Sequence, residues 1–187
     1  MTNILAIDPG ITSKNPCGIA IFSDGHLILR DLLIPKGKGP AERAMSIVGM
    51  LDYYLQAFGI TEVACEEIIW WRGRRNLEGL VVLKREIKEL AKRRKLPISF
   101  YTPNQWHGSL KAPVWQRAIM QEWGLPEDTS EHCLAAVGIA AYHLASKRKL
   151  YLRTPQGDHE RDMADPEYRR LYEAERAKTN KELRRAG

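Results

Sequence analysis

The stretch Ile4-Leu5-Ala6-Ile7-Asp8-Pro9-Gly10 decides how the chain is read. Four apolar residues form a short strand, a carboxylate stands at its end, and Pro9-Gly10 breaks it into a turn. An aspartate held at a strand edge beside a tight turn is well placed for a divalent cation, and a buried charge there is costly without such a partner. The same residues are also strong turn chemistry, in which the aspartate merely caps a hairpin. The rest of the chain decides between the two.

Working outward, apolar runs predict strands near 3–8, 17–22 and 26–33, with Ser23-Asp24-Gly25 as the hairpin turn between the last two. After a Gly/Pro/Lys loop, Ala44, Ile47, Val48, Leu51, Tyr54 and Leu55 recur at helical spacing, which predicts a helix over 41–58. Residues 61–66 read as a fourth strand that again ends in a carboxylate, Glu66. A basic loop leads to a helix over 77–94, a fifth strand over 97–101, a helix over 114–123 and a last helix over 129–146 that is apolar nearly all round. The order of strands and helices predicts an α/β fold, a mixed five-stranded sheet with helices on both faces. Residues 1–150 read as the folded domain. Residues 151–187 read as a charged C-terminal tail, helical or disordered, with few apolar positions to bury.

Composition narrows the function. The chain has 187 residues, 44% of them apolar, enough for one core. No apolar run has the length of a membrane span, and no signal peptide is expected at the N-terminus. Cys17, Cys65 and Cys133 are far apart, odd in number and set in apolar segments, so buried thiols and a cytoplasmic setting are expected. The net charge of +6 suits a polyanionic partner. Ten Lys/Arg against three Glu between Arg72 and Lys95 concentrate that charge just after Glu66-Glu67, whereas nine Lys/Arg and eight Asp/Glu leave the tail nearly neutral.

Three clusters carry chemistry. Asp8 and the Glu66-Glu67 pair end two strands, where oxygen ligands from neighbouring strands can share one Mg²⁺, although charged strand ends are also often simply solvated. Glu131-His132 opens the last helix. There Thr129 or Ser130 can serve as N-cap and Glu131 can favour the positive helix end with no further role.

Together these residues resemble a known family. Ile-Asp-Pro-Gly at 7–10, a Gly-Ile-Ala strand at 18–20, Val-Ala-Cys-Glu-Glu at 63–67 and Glu-His-Cys-Leu-Ala-Ala-Val-Gly-Ile-Ala-Ala-Tyr-His at 131–143 resemble the RuvC family of Holliday-junction resolvases over residues 1–146. The small size and divergent middle look most like a member from a phage or mobile element. The resemblance implies a ribonuclease H-like fold, a homodimer, and symmetric nicking of four-way DNA junctions by two Mg²⁺ or Mn²⁺ ions per active site in a bacterial or phage-infected cell. It places Asp8 and Glu66 as metal ligands and His132 as a further ligand or proton shuttle. The family has an aspartate three positions after His132, where this chain has Ala135. Three explanations stand: an aspartate replaced to trap DNA uncut, a natural departure in which Glu131 or Glu67 supplies the carboxylate, or a different register of the helix.

The same resemblance places an aromatic wedge after the strand-end glutamate, roughly at Trp70 or Trp71, and basic residues near the scissile phosphate, loosely at Lys111 and Arg117. Arg72, Arg74 and Arg75 follow the tryptophans, as expected where aromatics stack on unpaired bases and arginines track phosphates, although two tryptophans can also be core packing. Lys84, Arg85, Lys88 and Lys92 continue the basic loop along a helix face, or are a solvated charge run. A non-catalytic junction-binding protein is the alternative that Ala135 favours. A ribonuclease H-fold phosphotransferase is disfavoured because no glycine-rich phosphate loop follows Gly18.

Overall fold

The computed structural model describes residues 1–68 and 77–147. Trp70, Trp71, Arg72, Arg74, Arg75 and the 151–187 tail lie outside the described residues. The elements run β1 (Asn3–Asp8), β2 (Cys17–Ser23), β3 (His26–Leu33), α1 (Pro40–Ala57), β4 (Glu62–Glu66), α2 (Leu77–Arg93), β5 (Ile98–Tyr101), α3 (Pro103–Trp106), α4 (Ala112–Trp123) and α5 (Glu131–Lys147). The strands form one mixed sheet in the order β3-β2-β1-β4-β5. β1, β2 and β3 pair antiparallel, while β4 and β5 run parallel to β1.

Local chemistry explains this layout. Asp24 and Gly25 both take positive φ, 47° and 89°, the two-residue geometry whose twist suits a hairpin. The apolar runs are continuous because both faces of the sheet are covered. Side chains alternate between faces with a period of two. Leu5, Ile7, Ile19, Ile21, Val63 and Cys65 pack against α1 and α2, with Ile47, Leu51, Leu83 and Ile87. Ile4, Ala6, Ala20, Phe22 and Ala64 pack on the opposite side against α5, Trp106 and Ile119. Leu83 is fully enclosed between sheet and helix, so Leu83→Ala is expected to cost about 2–3 kcal/mol in urea unfolding, by lost burial and an incompletely collapsed cavity.

The last helix is apolar nearly all round because it lies on the sheet: every residue from Cys133 to Ala141 is buried. Its single fully buried polar side chain among the described residues, His143, is satisfied on both nitrogens. Nε2 lies 2.9 Å from Glu62 Oε2 and Nδ1 2.8 Å from the Tyr101 hydroxyl. The arrangement suits a neutral ring that donates to the carboxylate and accepts from the tyrosine. Burial holds the His143 pKa below its ordinary value, and Lys147 completes the charge balance on Glu62.

Two features differ from the sequence reading. The helix expected from 114 begins at Ala112, with Lys111 as its N-cap residue. Between it and β5 lies the four-residue α3, opened by a capping box in which Thr102 and Gln105 satisfy each other's backbone groups. Four residues are too few to produce a helical period, so α3 left no trace in the hydrophobic pattern.

Candidate active site

Strand alternation brings the two strand-end carboxylates to one face. Ile4 and Ala6 face α5, so Asp8, two residues on, faces the same way. Ala64 also faces α5, which carries Glu66 to that side. The parallel register pairs Ile7 with Cys65, so Asp8 and Glu66 occupy the next position on neighbouring strands. Adjacent strands are roughly 4.8 Å apart.

α5 delivers the third group. The Ser130 hydroxyl accepts from the His132 backbone N–H at 3.3 Å and caps the helix start, as expected. His132 Nδ1 then lies 2.7 Å from Asp8 Oδ2, with both side chains largely shielded. The approach depends on Gly18, which pairs with Asp8 across the hairpin. A Cβ at Gly18 would overlap the His132 carbonyl. The hydrogen bond to Asp8 raises the His132 pKa above its ordinary value against the opposing effect of burial, and the charges of Asp8, Glu131 and Glu66 add to the rise.

Glu66 receives a hydrogen bond at 3.1 Å from the indole Nε1–H of Trp106, at the end of α3. The sequence reading missed Trp106. Glu67 points the other way and forms an ion pair with Lys84 of α2, which separates it from Asp8 and removes it as a substitute ligand on the α5 face. Lys84 and Lys88 lie 5.3 and 4.9 Å from the centre of the Phe100 ring, while Arg85 pairs with its neighbour Glu86. The basic stripe is therefore partly engaged with the fold and not uniformly solvated.

Ala135 sits one turn after His132, 7% exposed and within the packing between α5 and the sheet. Glu131 is largely exposed, its carboxylate 3.9 Å from His132 Nε2. Lys111 and Arg117 are exposed at and beyond the start of α4. The structure thus brings Asp8 and His132 together and sets Glu66 on the adjoining strand. Among the described residues, no three His, Cys, Asp or Glu side chains form a ready-made metal cluster. Two hard oxygen donors still suit Mg²⁺, which keeps several waters and commonly binds through one or two carboxylates together with substrate phosphates. The three thiols are buried, and burial pushes Cys133 up to about 11, so none acts as a thiolate ligand or nucleophile at neutral pH.

Fold and site together define an α/β protein in which a mixed five-stranded sheet presents two strand-end carboxylates and a histidine on one face. Among solved structures, the chain is similar to Thermus thermophilus RuvC in complex with Holliday junction substrate, with 20% identity and a TM-score of 0.66 over 80% of this chain and 96% of that one. It is similar to a second Thermus thermophilus RuvC structure at 19% identity and a TM-score of 0.65, over 80% of this chain and 98% of that one. No family model and no curated protein matches the sequence. At this identity the fold is what is shared: the chain has the α/β fold of the RuvC structures, at low sequence identity to them.

Proposed function

We propose that the protein is a Mg²⁺-dependent endonuclease that nicks four-way DNA junctions symmetrically as a homodimer. The observation that carries this is that Asp8 and Glu66 stand on one face at the ends of adjacent parallel strands, with His132 of α5 bonded to Asp8. Asp8 and Glu66 would hold the cation, with His132 beside them as a further ligand or proton carrier. Bound divalent cations activate water and stabilise the leaving oxygen of an in-line phosphodiester displacement. The protein's own part is to present two carboxylates at fixed strand positions and to exclude bulk water from their inner side, where Ile4, Ala6 and Ala64 are fully packed. Lys111 and Arg117 would meet the phosphates around the scissile bond. A labelled synthetic four-way junction, incubated with Mg²⁺ and with EDTA, tests the activity.

A second reading is a junction-binding protein that does not cut. Ala135 favours it, since a methyl group stands where the resemblance asks for a carboxylate.

Both readings require junction binding. The chain is expected to bind a four-way junction far more tightly than linear duplex, with affinity falling steeply as salt rises. Trp70→Ala with Trp71→Ala is expected to weaken junction binding about tenfold or more and duplex binding much less, because stacking on unpaired bases is lost while phosphate contacts remain. Competition gel shifts at two salt concentrations measure this. Equal loss on both substrates would remove the wedge role.

A further inference from the structure

Glu66 is a flexible side chain at the end of a strand, and Mg²⁺ demands near-ideal geometry from its ligands. What holds Glu66 still comes from elsewhere in the chain. Trp106 donates its indole N–H to Glu66 Oε2 at 3.1 Å, and the residue is 4% exposed. That ring is boxed in by an edge-on contact to Trp115 at 5.0 Å, another to His107 at 4.6 Å, and by α5 at Gly138. A Cβ at Gly138 would stand 2.8–2.9 Å from two ring carbons of Trp106, so the helix is as close as it can come. The Thr102–Gln105 capping box pins the short helix that carries the indole. Nothing in packing alone requires tryptophan's N–H to end on a carboxylate.

We infer that Trp106 is a positioning residue: its buried indole N–H orients the Glu66 carboxylate for a divalent cation. The inference rests on the cation reading of Asp8 and Glu66. An indole suits the task for an electrostatic reason. It is a donor without charge, so it fixes a carboxylate oxygen without neutralising the ligand, as the ammonium of Lys84 does for Glu67. Hydrogen-bond partners that orient a ligand commonly govern metal affinity by 10- to 100-fold.

The test uses the full chain and Mg²⁺ alone. One readout is the set of indole N–H cross-peaks in a ¹⁵N-labelled sample, five in number if each tryptophan contributes one. The Trp106 peak is expected to move saturably as Mg²⁺ is added. Trp106→Phe keeps the aromatic packing and removes the donor. It is expected to raise the Mg²⁺ midpoint, followed on backbone amides of β1 and β4, by about tenfold while moving the melting temperature by only a few degrees. Asp8→Asn serves as the control and is expected to abolish the Mg²⁺ response. An unchanged midpoint in Trp106→Phe, with the response lost in Asp8→Asn, would show that Trp106 only packs and would overturn the inference while leaving the cation site standing. A Mg²⁺ response that survives Asp8→Asn would overturn the cation site and the inference with it. If Trp106→Phe does not fold, the unmodified chain decides, because an indole peak that ignores saturating Mg²⁺ overturns the role.

Discussion

Ala135→Asp is expected to raise Mg²⁺-dependent cleavage of a four-way junction by about a hundredfold or more, with little change in junction affinity. The substitution adds one carboxylate a helical turn from His132, on the side of α5 that faces the sheet. The site then has acids from two strands and a helix, enough to seat the cations that an in-line displacement uses. The proposed phosphate contacts at Lys111 and Arg117 lie on the α4 segment and are not altered. Stability offers a second readout. Ala135 is 7% exposed, so an aspartate there adds a shielded negative charge one turn from His132, the partner of Asp8. Without cation the melting temperature should fall by several degrees, and Mg²⁺ should restore it, because a ligand that binds only the folded chain stabilises it. In the Ala135→Asp background, Asp8→Asn should return cleavage to the starting level. Full-rate cleavage by the unmodified chain would mean that Ala135 is no lesion and that another acid, with Glu131 the nearest on α5, completes the site.

The second large effect is at Gly18. Gly18→Ala is expected to destabilise the fold by about 3 kcal/mol and to remove what activity the chain has. The new methyl would run into the backbone carbonyl of His132, and a backbone group cannot swing aside as a long side chain does. Either β2 or the start of α5 must retreat. Because Gly18 is the cross-strand partner of Asp8, that retreat opens the 2.7 Å contact between Asp8 and His132. Urea unfolding and the loss of the raised His132 pKa, followed by NMR titration, check the two consequences separately. If unfolding and titration both match the unmodified chain, the close packing of α5 on β2 is not what sets the site.

These residues also mark how far the sequence is legible. The helix α1 follows from helical periodicity, while the inner strands and α5 follow from continuous apolar runs bounded by turn residues. Asp8 and Glu66 stand out because an apolar run that ends in a carboxylate is unusual, and strand alternation places them on one face once the β1–β4 register is known. Glu66 and Glu67 are neighbours of identical chemistry. Only the packing of Ala64 on one side and Cys65 on the other separates the cation candidate from the partner of Lys84. Trp106 could not be found this way. It lies 40 positions from Glu66 on a helix too short to show a period, and the meeting depends on where β5 releases the chain. The one available signal was Thr-Pro-Asn-Gln at 102–105, which marks a helix start directly before the tryptophan.

The order in which the chain is synthesised bears on when such a site is assembled. β1 meets β2 through a local hairpin, so Asp8 finds its first neighbours as soon as the first two dozen or so residues are available. Glu66 joins only when β4 slots in beside β1 across more than fifty residues, and Trp106 and His132 arrive later still, His132 lying 124 positions from Asp8. A nascent or truncated chain that ends before α5 therefore carries the acids without the helix that closes over them. On the proposed function, the ability to hold a cation against DNA would be acquired only when α5 docks on the finished sheet.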